Sequence, residues 1–437
     1  MGFDYRRLAE GEFRMPDDWR LTAIGEVAVI NEKAITARNA PRSIKYIDIA
    51  SVDKGKLLAI EELEFDKAPS RARRVVSDLD SLISTVRPNL EHYMFVKEPE
   101  PNTIASTGYA VVTAKTVDPR FLYYYMTSKP FTEYLTQIAE GHTSAYPAFN
   151  PDVIEKAELI LPTESEQRAI AHVLGSLDDK IELNRRMNET LEKMARAIFK
   201  SWFVDFDPVR AKSEGRDPGL PEEIAEIFPD GFEESEIGEV PRGWEMTTIG
   251  TEYNLTMGQS PPGSTYNENR DGLPFFQGRR DFGFRFPTNR IYCTAPKRFA
   301  EPGDTLVSVR APVGDINMAM ERCCIGRGVG SIRHKSGNRS YTYYAMHTLS
   351  DILSSYEAEG TVFGAINKNQ FETIKFLSPT ADLINTFEEI ISPIDDRIKL
   401  NTNQIVTLSY LRDNLLPKLI SGELRVPDAE AIIEGAE

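Results

Sequence analysis

Asp178-Asp179-Lys180-Ile181-Glu182-Leu183-Asn184 returns as Asp395-Asp396-Arg397-Ile398-Lys399-Leu400-Asn401, a shift of 217 positions. The same shift lays Ala148-Phe149-Asn150 on Ala365-Ile366-Asn367, Pro162 on Pro379 and Leu177 on Ile394. One gap-free register held across about 55 residues marks an internal repeat.

The repeated stretch reads as a helix. In the first copy Ile170, Leu174, Leu177, Ile181, Leu191 and Ile198 advance by threes and fours, with Met187 and Met194 in the same series. Ile391, Ile394, Ile398, Ile405, Leu408 and Leu415 do so in the second. That spacing is a helix-packing seam. A cap at Thr163 or Ser165 opens the first helix, and Gly422 closes the second. About 40 residues at about 1.5 Å each give a rod of about 60 Å. Such a rod needs a partner helix to bury its apolar stripe.

Each helix follows a β-rich segment with turn residues. Trp19-Arg20-Leu21-Thr22-Ala23-Ile24-Gly25 matches Trp244-Glu245-Met246-Thr247-Thr248-Ile249-Gly250, and Asp80 with Leu82-Ile83-Ser84 matches Asp304 with Leu306-Val307-Ser308. The fold class is α+β. The expected segments are 1–163, globular; 164–206, central helix; 207–243, acidic connector; 244–380, globular; 381–426, distal helix; and 427–437, tail. A chain of 437 residues exceeds one ordinary core.

Chemistry is hard to find. The residues show no phosphate loop, no glycine-rich cofactor turn and no metal-ligand spacing. Ser260-Pro261-Pro262-Gly263 lacks the aromatic residue with which amino-methylating enzymes grip a flipped base. Catalytic residues and a bound cofactor or metal are therefore not expected. A single-chain DNA methyltransferase without a recognisable cofactor motif is the alternative. Three cysteines give no disulfide framework, and no apolar run suits a signal peptide or membrane span, so a cytoplasmic protein is expected.

The net charge of -16 weighs against nucleic acid. Its distribution does not, because Arg270 to Arg339 holds 13 Lys/Arg against 6 Asp/Glu. Arginine suits guanine, Gln suits adenine, and Lys holds phosphates. In the second segment the candidate DNA contacts are Gln259, Gln277, Arg279, Arg280, Arg285, Arg290, Arg310, Lys335 and Arg339. In the first they are Arg71, Arg73, Arg74, Arg87 and Tyr146, the last in a loop from Thr143 to Pro147.

The chain resembles the specificity subunit of type I restriction-modification systems from Trp19 to Val426. The resemblance rests on Glu166-Gln167-Arg168 through Asp178-Asp179-Lys180-Ile181 to Phe199-Lys200-Ser201-Trp202-Phe203, and on Leu415-Leu416-Pro417-Lys418-Leu419-Ile420-Ser421-Gly422-Glu423-Leu424. Met257-Gly258-Gln259-Ser260-Pro261, Leu273-Pro274-Phe275-Phe276-Gln277-Gly278 and Gly360-Thr361-Val362 add to it. It implies two target-recognition domains, each reading half of a split double-stranded DNA site. Two long helices, conserved in the family, would separate them as an antiparallel coiled coil. It also implies two docked adenine methyltransferase subunits using S-adenosylmethionine. Two restriction-motor subunits using ATP and Mg would join for phage defence, and the specificity chain would have no activity of its own.

If the helix pair sets the gap between half-sites, seven residues inserted near Asn188 and again near Ile405 add about 10 Å of helix, or about 3 base pairs. Sequencing of methylated sites is expected to show that longer gap with both halves unchanged; an unchanged gap refutes the ruler.

Overall fold

The computed structural model describes residues 16–142, 146–358 and 364–434. The N-terminal stretch, Thr143-Ser144-Ala145 and Gly360-Thr361-Val362 lie outside the described residues. The chain forms two compact units, Met1–Leu183 with Gln404–Glu437, and Asn184–Asn403.

Each unit begins with the same closure. In the first, the strand Arg20–Ala23 pairs antiparallel with Glu158–Leu161, the strand that leads into the long helix α1 (Glu164–Phe203). In the second, Glu245–Thr248 pairs with Lys375–Ser378 ahead of α2 (Ala381–Ser421). The repeated glycines have a packing reason. A Cβ on Gly25 would stand 2.6 Å from Glu155 Cγ, and one on Gly250 would stand 3.0 Å from Glu372 Cβ. A side chain at either position would force its glutamate neighbour to shift.

The rest of the first unit holds two four-stranded sheets. One runs Ala28–Ile30, Tyr109–Ala114, Ser81–Ser84, Tyr93–Phe95. The other runs Glu61–Glu64, Ser43–Ile47, Thr103–Ser106, Ala72–Val75. The second unit repeats the first of these as Tyr253–Met257, Val329–His334, Thr305–Val309, Val313–Met318. Its other sheet differs, with five short strands. The shared sheet buries its Leu-Ile-Ser and Leu-Val-Ser runs, so it carries the skeleton that repeats in sequence.

Each long helix begins in one unit and ends in the other. Within the first unit Ile170, Leu174 and Leu177 share a core with Leu415, Leu419 and Ile420. Within the second, Ala195, Phe199 and Trp202 share one with Phe387, Ile391 and Ile398. Leu191, Ile198 and Ile394 are partly buried against that core, as Leu408 is against the first. Contacts descend one helix as they climb the other: in the first unit Asp178 meets Arg412, and Glu166, nearer the start of α1, meets Arg425 just past the end of α2. In the second, Asn188 meets Asn401 and Phe199 meets Phe387. The packing in each unit is antiparallel.

The seam is less apolar than its spacing implies. Met194 is exposed, whereas Asn184, Asn188, Glu192, Asp395 and Asn401 are buried. Asn401 Nδ2 donates to Asn188 Oδ1 at 2.9 Å, and Asn188 Nδ2 donates to Thr402 at 3.3 Å. Buried amides that bond one another fix register, since a slipped helix would break that bond inside the core.

Residues 207–243, read in sequence as a connector, are folded. Val209, Ala211, Phe228 and Val240 are buried, and Trp202 packs edge-on against Phe228 at 5.1 Å. No helix among the described residues is long and apolar enough to cross a membrane. The cysteines Cys293, Cys323 and Cys324 are free and buried.

Asn401→Ala leaves Asn188 without its buried partner and is expected to cost about 1–3 kcal/mol in denaturant unfolding. Pairing Asn188→Leu with Asn401→Leu is expected to cost less than the two single changes summed, because both polar groups leave together.

Candidate nucleic-acid interface

The doubled aspartates of the repeat dock each globular part on its helix. In the first unit Tyr124 Oη donates to Asp178 at 2.7 Å and Arg120 pairs with Asp179 at 3.1 Å. In the second, Tyr344 Oη donates to Asp395 at 3.1 Å and Arg339 pairs with Asp396. The third contact to the leading aspartate differs. Arg412, on α2, binds Asp178 at 2.7 Å. The matching position on α1 is the buried Ala195, and the cation on Asp395 is Arg285 from the globular part.

Arg285 is therefore removed from the set of DNA contacts. It is 1% exposed. It pairs with Asp395 and Glu192, donates to Tyr344 at 2.9 Å and lies 3.7 Å from the Tyr343 ring centroid. Burial pushes the Asp395 carboxyl up against the pull of Arg285, while neighbouring phenols and carboxylates hold the guanidinium charged against its own burial. Arg339 is committed to Asp396, and Lys335 donates to the carbonyls of Gly250 and Thr251. Lys335 is exposed, and Arg339 is partly buried at the docking contact. Burial holds neighbouring His347 down at about 3, so it is neutral beside Arg196.

The other candidates lie nearer the surface. In the first unit Arg71 donates to Tyr46 at 3.2 Å and to Asp48 at 2.7 Å, and the Tyr46 hydrogen bond leads the rise in its pKa. Arg73 lies over the Phe65 ring at 5.0 Å. Arg74 is half-buried, its Nε has no hydrogen-bond partner, and burial pulls its pKa down. Arg87 and Tyr146, picked separately from sequence, come together: the guanidinium sits 5.1 Å over a ring that is 71% exposed. Tyr123, Tyr124 and Tyr125 are core, as are Phe275 and Phe276.

In the second unit Gln277 and Arg290 line one cleft of about 370 Å³ with Ser260, Tyr266, Phe275 and Arg327. Arg290 is held at 3.0 Å by the buried Asp281. Gln259 adjoins the cleft through its backbone, which donates to Ile325 O at 3.0 Å. Arg279 pairs with Asp315 at 2.7 Å, and Arg280 and Arg310 are exposed. The sequence reading passed over Ser260 and Arg327. The signal was present in Gly326-Arg327-Gly328, a cation between two glycines inside the basic island.

Residues 16–193 match the family described as Type I restriction modification DNA specificity domain. The chain is 28% identical to the type I restriction enzyme HindI specificity subunit of Haemophilus influenzae, over 93% of this chain and 100% of that one. The chain belongs to the type I restriction-modification specificity-subunit family. Among solved structures, a chain from a study of type I R-M complex assembly and conformational transition is 31% identical. That match covers 94% of this chain and all of the other, with a TM-score of 0.41. The S subunit from M. genitalium is 14% identical over 93% of this chain and 96% of its own, with a TM-score of 0.57. That likeness concerns the fold, which in this family joins mixed helix-and-sheet domains to long packed helices.

Arg285→Met removes the only cation paired with Asp395 among the described residues, while Glu192 keeps Arg196 at 2.8 Å. Because the Asp395 carboxylate stays buried, it is expected to cost about 3–5 kcal/mol. Adding Asp395→Asn is expected to recover part of that loss, read by thermal unfolding.

Proposed function

We propose that this chain gives a type I restriction-modification complex its DNA sequence. Each unit reads one half of a bipartite site in double-stranded DNA. The chain docks two adenine methyltransferase subunits, and restriction-motor subunits can join them in the cytoplasm. Chemistry is left to those partners, with S-adenosylmethionine bound by the methyltransferase and ATP and Mg by the motor.

One observation carries this reading. The two units dock on the helices through the same Tyr–Asp and Arg–Asp pairs, yet they present unlike polar surfaces. The first offers Arg71, Arg73 and the Arg87–Tyr146 pair, and the second a cleft with Gln277, Arg290 and Arg327. A repeated mount with different faces suits a site whose halves differ in sequence. Base-edge contacts specify and phosphate contacts position, so each face acts on its own half.

Co-expression with the partner methyltransferase and sequencing of methylated adenines tests the proposal. Arg87→Ala with Tyr146→Ala is expected to weaken or relax one half-site, and Arg279→Ala with Arg280→Ala the other, by about 1–3 kcal/mol where a base contact is lost. Changes spread over both halves, or absence of any sequence-specific methylation, would defeat it.

A further inference from the structure

Three loops of the second unit are tied into one platform. Gly258 N donates to Val329 O at 3.0 Å and Gln259 N to Ile325 O at 3.0 Å. Gly326 N donates to Phe276 O at 2.9 Å, and Gly328 N to Gln277 O at 3.1 Å. The glycines are required by contact. A Cβ on Gly258 would stand 2.2 Å from Gly326 O, and one on Gly328 would stand 2.5 Å from Gln277 O. Ser260 sits at the junction. Its hydroxyl donates to Gln277 Oε1 at 3.0 Å and accepts from the Arg327 backbone N–H at 3.2 Å. Side chains carried on such a platform are aimed before any ligand arrives, which geometric readout requires.

The polarity of what remains is one-sided. Ser260 donates to Gln277 Oε1 and accepts from the Arg327 backbone, and Asp281 Oδ1 accepts from Arg290 Nε. The cations and amide that line the cleft, the Arg327 guanidinium, the Gln277 amide N–H₂ and the outer nitrogens of Arg290, are donors. Donors alone match an acceptor-only edge. In a DNA major groove guanine offers two such acceptors, O6 and N7, which fit a forked guanidinium; thymine offers one, O4, beside a methyl group, and adenine and cytosine present amino donors. A phosphate is also acceptor-only, but the cleft wall is the Tyr266 ring stacked on Phe275 at 4.5 Å. An apolar wall is a poor neighbour for a solvated phosphate and a good one for a base.

We infer that Arg327 reads a guanine in the half-site bound by the second unit, with Ser260 and Gln277 as positioning residues. This rests on the DNA-reading assignment above. The test uses the complete complex with its methyltransferase and duplexes carrying the site found by methylation sequencing. Each guanine of that half is replaced in turn by 7-deazaguanine, which lacks the N7 acceptor. At one position the replacement is expected to lower binding by wild type about tenfold, and to have little effect on Arg327→Ala. Ser260→Ala is expected to reduce discrimination at that same position, and Ser260→Thr, which keeps the hydroxyl, to restore it. Thermal unfolding at the wild-type temperature shows that the variants fold.

Arg327→Ala binding that weakens evenly on all sequences, with a shallower salt dependence, would make Arg327 a phosphate contact and overturn the inference. So would a half-site without guanine, or equal sensitivity to 7-deazaguanine in wild type and variant. Specific methylation persisting in any of these cases leaves the parent assignment standing; its absence in wild type removes both.

Discussion

The interaction on which the rest depends is the grip of a paired aspartate on a globular domain. Asp178 and Asp179 hold Tyr124 and Arg120, and Asp395 and Asp396 hold Tyr344 and Arg339. Each pair sits on a long helix, so the orientation of each globular part is set by a helix turn rather than by a flexible linker. The leading aspartate of each pair is buried deeper than its neighbour and needs a cation. One unit takes it from the opposite helix as Arg412, the other from its own globular part as Arg285. The same carboxylate is thus compensated from two directions. This difference also explains why Ala195 stands where Arg412 would be expected by repeat.

The helices use polar groups for register and apolar groups for adhesion. Leucine and isoleucine stripes would tolerate a slip of one turn with little loss. Asn188 against Asn401 does not, because a displaced amide would be buried without a partner. The Arg285 site adds a larger constraint, since Glu192 on one helix and Asp395 on the other both converge on one guanidinium.

The candidate polar sites are built differently in the two units. The first presents arginines on an edge strand and a cation over an exposed ring. The second ties three glycine-containing loops around a cleft. Close approaches at Gly258, Gly326 and Gly328 leave no room for side chains there, so the platform can place Gln277 and Arg327 with little conformational freedom.

The sequence alone determined the repeat, both long helices and the class of fold, because periodicities of three and four and a constant offset are local properties of the chain. It also marked the basic island, since charge is countable without coordinates. Only tertiary structure decided which cations are available. Arg285 and Arg290 look alike in sequence, but one is enclosed by Glu192, Asp395 and two tyrosines, and the other borders a cleft. Folding likewise joined Arg87 to Tyr146 and brought Ser260, Gln277 and Arg327 together from three separated loops. The physical reason is that burial and partner choice arise from contacts between distant segments, which spacing along the chain does not encode.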